Sequence, residues 1–204
     1  MAKLLPIFPL DLVLFPGVPL PLHIFEPRYK EMIGECLDSN KHFGVVRVKQ
    51  DEGIADTGCT AEITSVVKRY DDGRMDIATV GRRRFEIGEM NHERSFLQAE
   101  VLYLDDEESR ESLDAEKRER ALELYQQVQG SVGNTMEVDT DAELLSYQLA
   151  GALPIDLDFK QTLLGIRSEL ERLTGLIEFF EAILPRLQKA VRRREKAGGN
   201  GHVP

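Results

Sequence analysis

The chain predicts an α+β fold, with a strand-rich first half followed by a helical second half. Three observations carry this expectation. The opening sets prolines between large apolar residues, residues 43–104 show two-residue alternation, and apolar residues after about 108 recur at three- and four-residue spacing behind capping signals. A chain of 204 residues is long enough to bury a sizeable core, as one large domain or two small ones.

The opening reads Leu5-Pro6-Ile7-Phe8-Pro9-Leu10, then Val13-Leu14-Phe15-Pro16-Gly17, then Leu20-Pro21-Leu22-His23-Ile24-Phe25-Glu26-Pro27-Arg28-Tyr29. Each proline fixes its own φ, removes an N–H and drives the preceding residue toward extended geometry. The segment therefore predicts short strands separated by stiff kinks, with a turn at Gly17. Pro27 suits the first position of a helix, and Tyr29, Met32, Ile33, Cys36 and Leu37 follow at helical spacing until Asp38-Ser39-Asn40. Residues 43–48 form a short β-branched run. Residues 61–70 alternate in part, with Ile63, Ser65 and Val67 assigned to one side. Asp71-Asp72-Gly73 supplies a turn, and Met75, Ile77 and Thr79 resume the alternation, which predicts a hairpin. Residues 85–87 and 96–104 read as further strands.

The second half predicts a helix over 113–129, broken by Gly130-Ser131-Val132-Gly133-Asn134. Thr140 and Glu143 have the spacing of a capping box for a helix through Ala150, which Leu153-Pro154 stops. Asp158 precedes a short helix over 159–166. Ser168 and Glu171 form a second capping box, opening a long helix whose seam is Leu170, Leu173, Ile177, Phe180, Leu184, Leu187 and Val191. Pro185 predicts a kink near its end. The seam reads as the spine of a helical bundle; a homodimer through this C-terminal helix is the alternative use of it. The resulting plan is a β domain with one helix over 1–107, a helical bundle over 108–195 and a flexible tail over 196–204.

Composition narrows the function classes. A net charge of −10 argues against a general nucleic-acid binder and against docking on anionic membrane. No apolar run approaches the roughly 20 residues of a membrane span. Pro6, Pro9 and Asp11 interrupt anything resembling a signal peptide, so a cytoplasmic location is expected. Cys36 and Cys59 lack metal-ligand spacing and read as reduced, buried thiols, with a disulfide left open. No phosphate-binding glycine loop is present, and Ser131 sits in a helix-breaking loop rather than on a strand-to-helix elbow. The four histidines, His23, His42, His92 and His202, have no metal spacing; His23 reads as a hydrogen-bonded structural residue, and Arg28 with Glu26 as a local ion pair. No catalytic residue, metal or cofactor is therefore expected. In the run Arg82-Arg83-Arg84, strand parity points Arg83 away from Arg82 and Arg84. One reading is a solvated or salt-bridged strand; the other is a basic edge beside a binding groove.

The opening block also carries a family resemblance. A Leu-Pro-x-Phe-Pro-Leu element, a Val-Leu-Phe-Pro-Gly element and Leu-Pro-Leu-His-Ile-Phe-Glu-Pro-Arg-Tyr stand in order, and the chain resembles the Lon substrate-binding domain family. Phe43-Gly44-Val45-Val46, Gly58-x-x-Ala61-x-Ile63, Asp72-Gly73-Arg74, Gly81-x-x-Arg84-Phe85 and Leu153-Pro154 with Lys160-Gln161-x-Leu163-Leu164 extend the likeness over residues 4 to about 190. The resemblance implies a PUA-like mixed β-sheet or barrel followed by a helical bundle, in a standalone bacterial member without the ATPase and Ser–Lys protease domains. It implies a non-catalytic protein that recognises unfolded or degron-bearing polypeptides, as an adaptor to a protease or chaperone. A PUA-like RNA-binding module is the alternative. Extended peptide needs accessible apolar side chains or a free strand edge. The proline-stiffened stretch holding Phe15, Val18, Leu20 and Leu22 is the candidate surface, with Arg82 and Arg84 as polar contacts; the other reading is that Leu14, Phe15, Leu20 and Leu22 simply fill the core.

Overall fold

The structure, a computed structural model, describes residues 4–39, 42–49, 53–106, 111–133 and 137–198. Among them are six strands and five helices in two compact units: Met1–Asp106 with Ile155–Arg167, and Glu107–Pro154 with Ser168–Pro204. The fold is α+β, as the sequence pattern predicts.

The first unit contains β1 (Leu5–Leu10), β2 (Pro19–Ile24), α1 (Pro27–Ser39), β3 (Phe43–Lys49), β4 (Gly53–Arg69), β5 (Met75–Asn91), β6 (Leu97–Leu104) and a helix over Leu157–Gly165. The strand order is β2-β5-β4-β3-β1-β6, and β6 also pairs with β5, which closes five strands into a barrel. Among the described strands only β1 and β3 pair in parallel. β5 is one strand of 17 residues, so residues 85–87 continue the hairpin strand rather than standing alone. Its far half, Arg84–Asn91, pairs with β6, while its near half, Met75–Val80, pairs with β2. β2 therefore lies outside the closed barrel, as a terminal strand beside the hairpin.

Leu5, Ile7, Val46, Phe85 and Ala99 are buried together in the barrel core. Phe85 fills the space left by two glycines: a Cβ on Gly44 or Gly58 would meet its ring at 2.6 Å. α1 buries Tyr29, Met32, Ile33 and Cys36, spaced for one face of a helix. The Tyr29 ring sits 4.1 Å from Phe8. Cys36 and Cys59 are buried thiols, and burial pushes Cys59 up to about 12.

The sequence pattern assigns all of 108–195 to the bundle, but Ile155–Arg167 belongs with the β unit. The reason is polar. Arg47 donates to Asp158 at 2.6 Å, Gln161 to the Thr57 carbonyl at 3.0 Å, and Arg84 to the carbonyls of Leu164 and Ile166 at 2.8 Å each. This helix, α4 in chain order, is capped by Asp156, whose carboxylate accepts from the N–H groups of Asp158 and Phe159, so it starts at Leu157, two residues before the expected Phe159.

In the second unit α2 (Glu111–Val132) and α5 (Glu169–Gly198) pack along each other with α3 (Leu145–Ala152) beside them. α2 runs through Gly130 and ends at Gly133, which has φ of 68°. The expected Thr140–Glu143 capping box does not open α3. That helix begins at Leu145 with no side-chain cap, and Arg118 instead binds the carbonyls of Thr140, Ala142 and Glu143. Ser168 does cap α5, accepting from the Glu171 N–H at 3.3 Å. The buried seam of α5 is Leu173, Leu176, Phe180 and Leu184. The helix continues through Pro185 to Gly198, so the expected tail starts later, and residues 199–204 lie outside the described residues. Arg172 is 0% exposed, held by Glu169 at 2.9 Å and Ser146 at 3.0 Å over the Tyr147 ring. A charge buried this completely is tolerable only because it is paired and hydrogen-bonded.

Candidate functional site

The hairpin end of the sheet holds the candidate surface. The turn is the one the sequence predicts: Tyr70 and Arg74 close it, the Gly73 N–H donates to the Tyr70 carbonyl, and Gly73 has φ of 81°. Two bulges then disturb β4. Ile63 lies opposite Thr79, Ser65 opposite Ala78, Val66 opposite Ile77 and Lys68 opposite Asp76, which leaves Thr64 and Val67 as extra residues. Simple alternation groups Ile63 with Ser65 and Val67. The bulges instead put Ile63 and Val66 on one face.

β2 pairs with β5 as Leu20↔Thr79, Leu22↔Ile77 and Ile24↔Met75. Residues directly opposite one another share a sheet face. Leu20, Thr79 and Ile63 therefore make one row across three strands, and Leu22, Ile77 and Val66 make the next. Thr79 and Ile77 are buried, whereas Leu20, Leu22, Ile63 and Val66 are half-buried. Val18 continues the β2 parity and is also half-buried. This is a contiguous, partly open apolar face. Beside it, Phe25 is 58% exposed and Val67 69% exposed.

The loop before β2 is seated by Gly81. Its N–H donates to the Val18 carbonyl at 3.0 Å, its carbonyl accepts from the Gly17 N–H at 2.9 Å, and a Cβ there would lie 2.0 Å from the Phe15 carbonyl oxygen. Only glycine permits so close a passage. The Phe15 side chain is 0% exposed. Phe15 is thus a core residue that anchors the loop, not a contact for polypeptide.

The three arginines go to three places. Arg82 is exposed and pairs with Glu62. Arg83 lies 4.2 Å over the Tyr103 ring and 3.1 Å from Asp105. Arg84 is 3% exposed and bonds Asp106 as well as the carbonyls of Leu164 in α4 and Ile166 just after it. Arg84 therefore fixes α4 to the barrel and is removed from the site. Among the expected contacts, Val18, Leu20 and Leu22 share the open face, Arg82 is elsewhere on the surface, and Phe15 and Arg84 are buried. Ile63 and Val66 are the residues sequence parity missed.

His23 sits on the opposite face of β2, its Nδ1 at 2.5 Å from Asp76, which also accepts from the Tyr70 hydroxyl at 2.8 Å. The hydrogen bonds from His23 and Tyr70 hold the Asp76 carboxyl below its ordinary range. His23 is thus hydrogen-bonded, as expected, to Asp76. Arg28 pairs with Glu26 at 2.9 Å. Among the described residues no cluster of three or more His, Cys, Asp or Glu could hold a metal ion, and no helix is long and apolar enough to cross a membrane.

Comparisons with known proteins agree with this fold. The crystal structure of a Lon N-terminal domain protein from Xanthomonas campestris matches with a TM-score of 0.68 at 25% identity, covering 86% of this chain and 98% of that one. The N-terminal domain of a Mycobacterium avium complex Lon protease has the same fold, with a TM-score of 0.66 at 19% identity over 88% of this chain and 98% of that one. Lon protease 1 of Hydrogenovibrio crunogenus is 25% identical over 89% of this chain, and the Haemophilus influenzae Lon protease 26% identical over 95%. The chain spans 24% and 26% of those two relatives. Residues 4–182 match the family described as the ATP-dependent protease La (LON) substrate-binding domain, and the chain belongs to that family.

Proposed function

We propose that this chain is a non-catalytic recognition domain that binds unfolded or extended polypeptide on the open face of Val18, Leu20, Leu22, Ile63 and Val66, and presents it to a protease or chaperone. One observation carries the reading: half-buried apolar side chains of β2 and β4 flank the buried Thr79 and Ile77 of β5 in a member of a substrate-binding family. Burying such side chains against a client supplies about 25 cal/mol per Å² of apolar area, and the proline-stiffened strand loses little entropy when it binds.

The alternative of an RNA-binding module requires a basic surface. The arginine run offers none, since Arg82 and Arg83 are paired with carboxylates and Arg84 is buried.

The test is fluorescence anisotropy with labelled, reduced and carboxymethylated α-lactalbumin, a permanently unfolded chain, at low and high salt. Saturable binding that survives high salt is expected, with affinity falling about tenfold or more in Leu20→Ser and Leu22→Ser. Both side chains are half-buried, and circular dichroism checks that each variant keeps the fold. Binding that vanishes at high salt, or is unchanged in both variants, contradicts the reading.

A further inference from the structure

The backbone of β2 says how a client can and cannot bind, an inference that rests on the recognition reading above. The ladder fixes which peptide groups of β2 point toward β5. The Gly81 N–H donates to the Val18 carbonyl, so residue 18 turns its peptide group inward, and Leu20, Leu22 and Ile24 follow by the two-residue period. The intervening residues Pro19, Pro21 and His23 turn theirs toward the outer edge. β2 is terminal in the strand order, and all three residues are exposed.

An added strand needs alternating N–H and C=O groups on that edge. Pro19 and Pro21 have no N–H, and each pyrrolidine ring occupies the space through which a partner carbonyl would approach. Two of the three outward donors are absent by covalent structure. The carbonyls remain, but a continuous ladder cannot form on acceptors alone.

We propose that Pro19 and Pro21 are specificity-determining residues. They close the β2 edge to strand addition, so clients are read by their side chains on the Leu20–Leu22–Ile63–Val66 face, and a second copy of this chain cannot pair through β2. An apolar, partly open face beside an unprotected edge would invite self-association, and prolines at the two outward positions prevent it without disturbing the bonds to β5.

Two experiments decide this. In the first, size-exclusion chromatography with light scattering compares the parent with Pro19→Thr/Pro21→Thr at rising concentration, with circular dichroism as the check on folding. The double variant is expected to shift to a dimer or larger species while the parent does not. A folded double variant with the parent's oligomeric state overturns the proposal, and this arm needs no client. In the second, the parent is titrated with a short apolar peptide and with its analogue N-methylated at alternate residues. Equal affinity within about twofold is expected, because side chains carry the contact. A loss of about tenfold or more on N-methylation shows strand addition and overturns the proposal. If neither peptide binds, the recognition reading fails, and the first experiment still decides whether the edge is closed.

Discussion

Two ends of the β unit use the same strand differently. The far half of β5 is locked into the barrel, paired on both sides, with Phe85 enclosed by Gly44 and Gly58 and Arg84 tied to α4. The near half carries β2 as an outrigger, with bulges in β4 and half-buried apolar side chains. Arg84 and Phe85 are thus structural, whereas Leu20 and Leu22, no more apolar than the core, stay half-buried and are the proposed contacts. Position relative to barrel closure, rather than residue type, separates scaffold from surface.

The contrast can be broken at its rigid end with the largest effect. Phe85→Ala leaves a cavity between two glycines that cannot fill it, and a loss of about 3–5 kcal/mol is expected in urea unfolding. Leu22→Ser should cost about 1 kcal/mol or less, since its side chain is already partly in water. Comparable losses for the two would erase the distinction.

Much of this architecture is legible in the sequence because it is local. The Asp71-Asp72-Gly73 turn, the α1 start at Pro27 and the prolines of the opening each impose a backbone state without tertiary help. The misses are non-local. Nothing within residues 155–167 says that its carbonyls will receive Arg84, so α4 reads as part of the bundle. Arg84 stands in a run of identical side chains, and only the paired strands assign each a different fate. The bulges at Thr64 and Val67 shift parity by one, so Val66 replaces Ser65 on the open face. Phe15 looks like a candidate because proline-rich loops read as surface; the passage over Gly81 shows why it is not.

A smaller effect sharpens the comparison at the hairpin end. Asp76 links β2 to the turn through His23 and Tyr70, and its carboxyl lies below the ordinary value of 3.8. A depressed carboxylate contributes stability above its unfolded value, and that contribution is lost as pH falls through the lower folded value. Asp76→Asn should therefore flatten part of the fall in Tm below about pH 4. The same carboxylate logic holds at Glu31 and Asp72, so only part of the slope should disappear. An unchanged acid slope would show that the link does not stabilise the hairpin end.

The most direct measurement is hydroxyl-radical footprinting of the protein with and without reduced, carboxymethylated α-lactalbumin. Protection of Leu20, Leu22, Ile63 and Val66, with no change at Leu102, an exposed apolar residue of β6, is the predicted result. Protection that spares the β2–β4 face and appears on Leu102 would contradict the account.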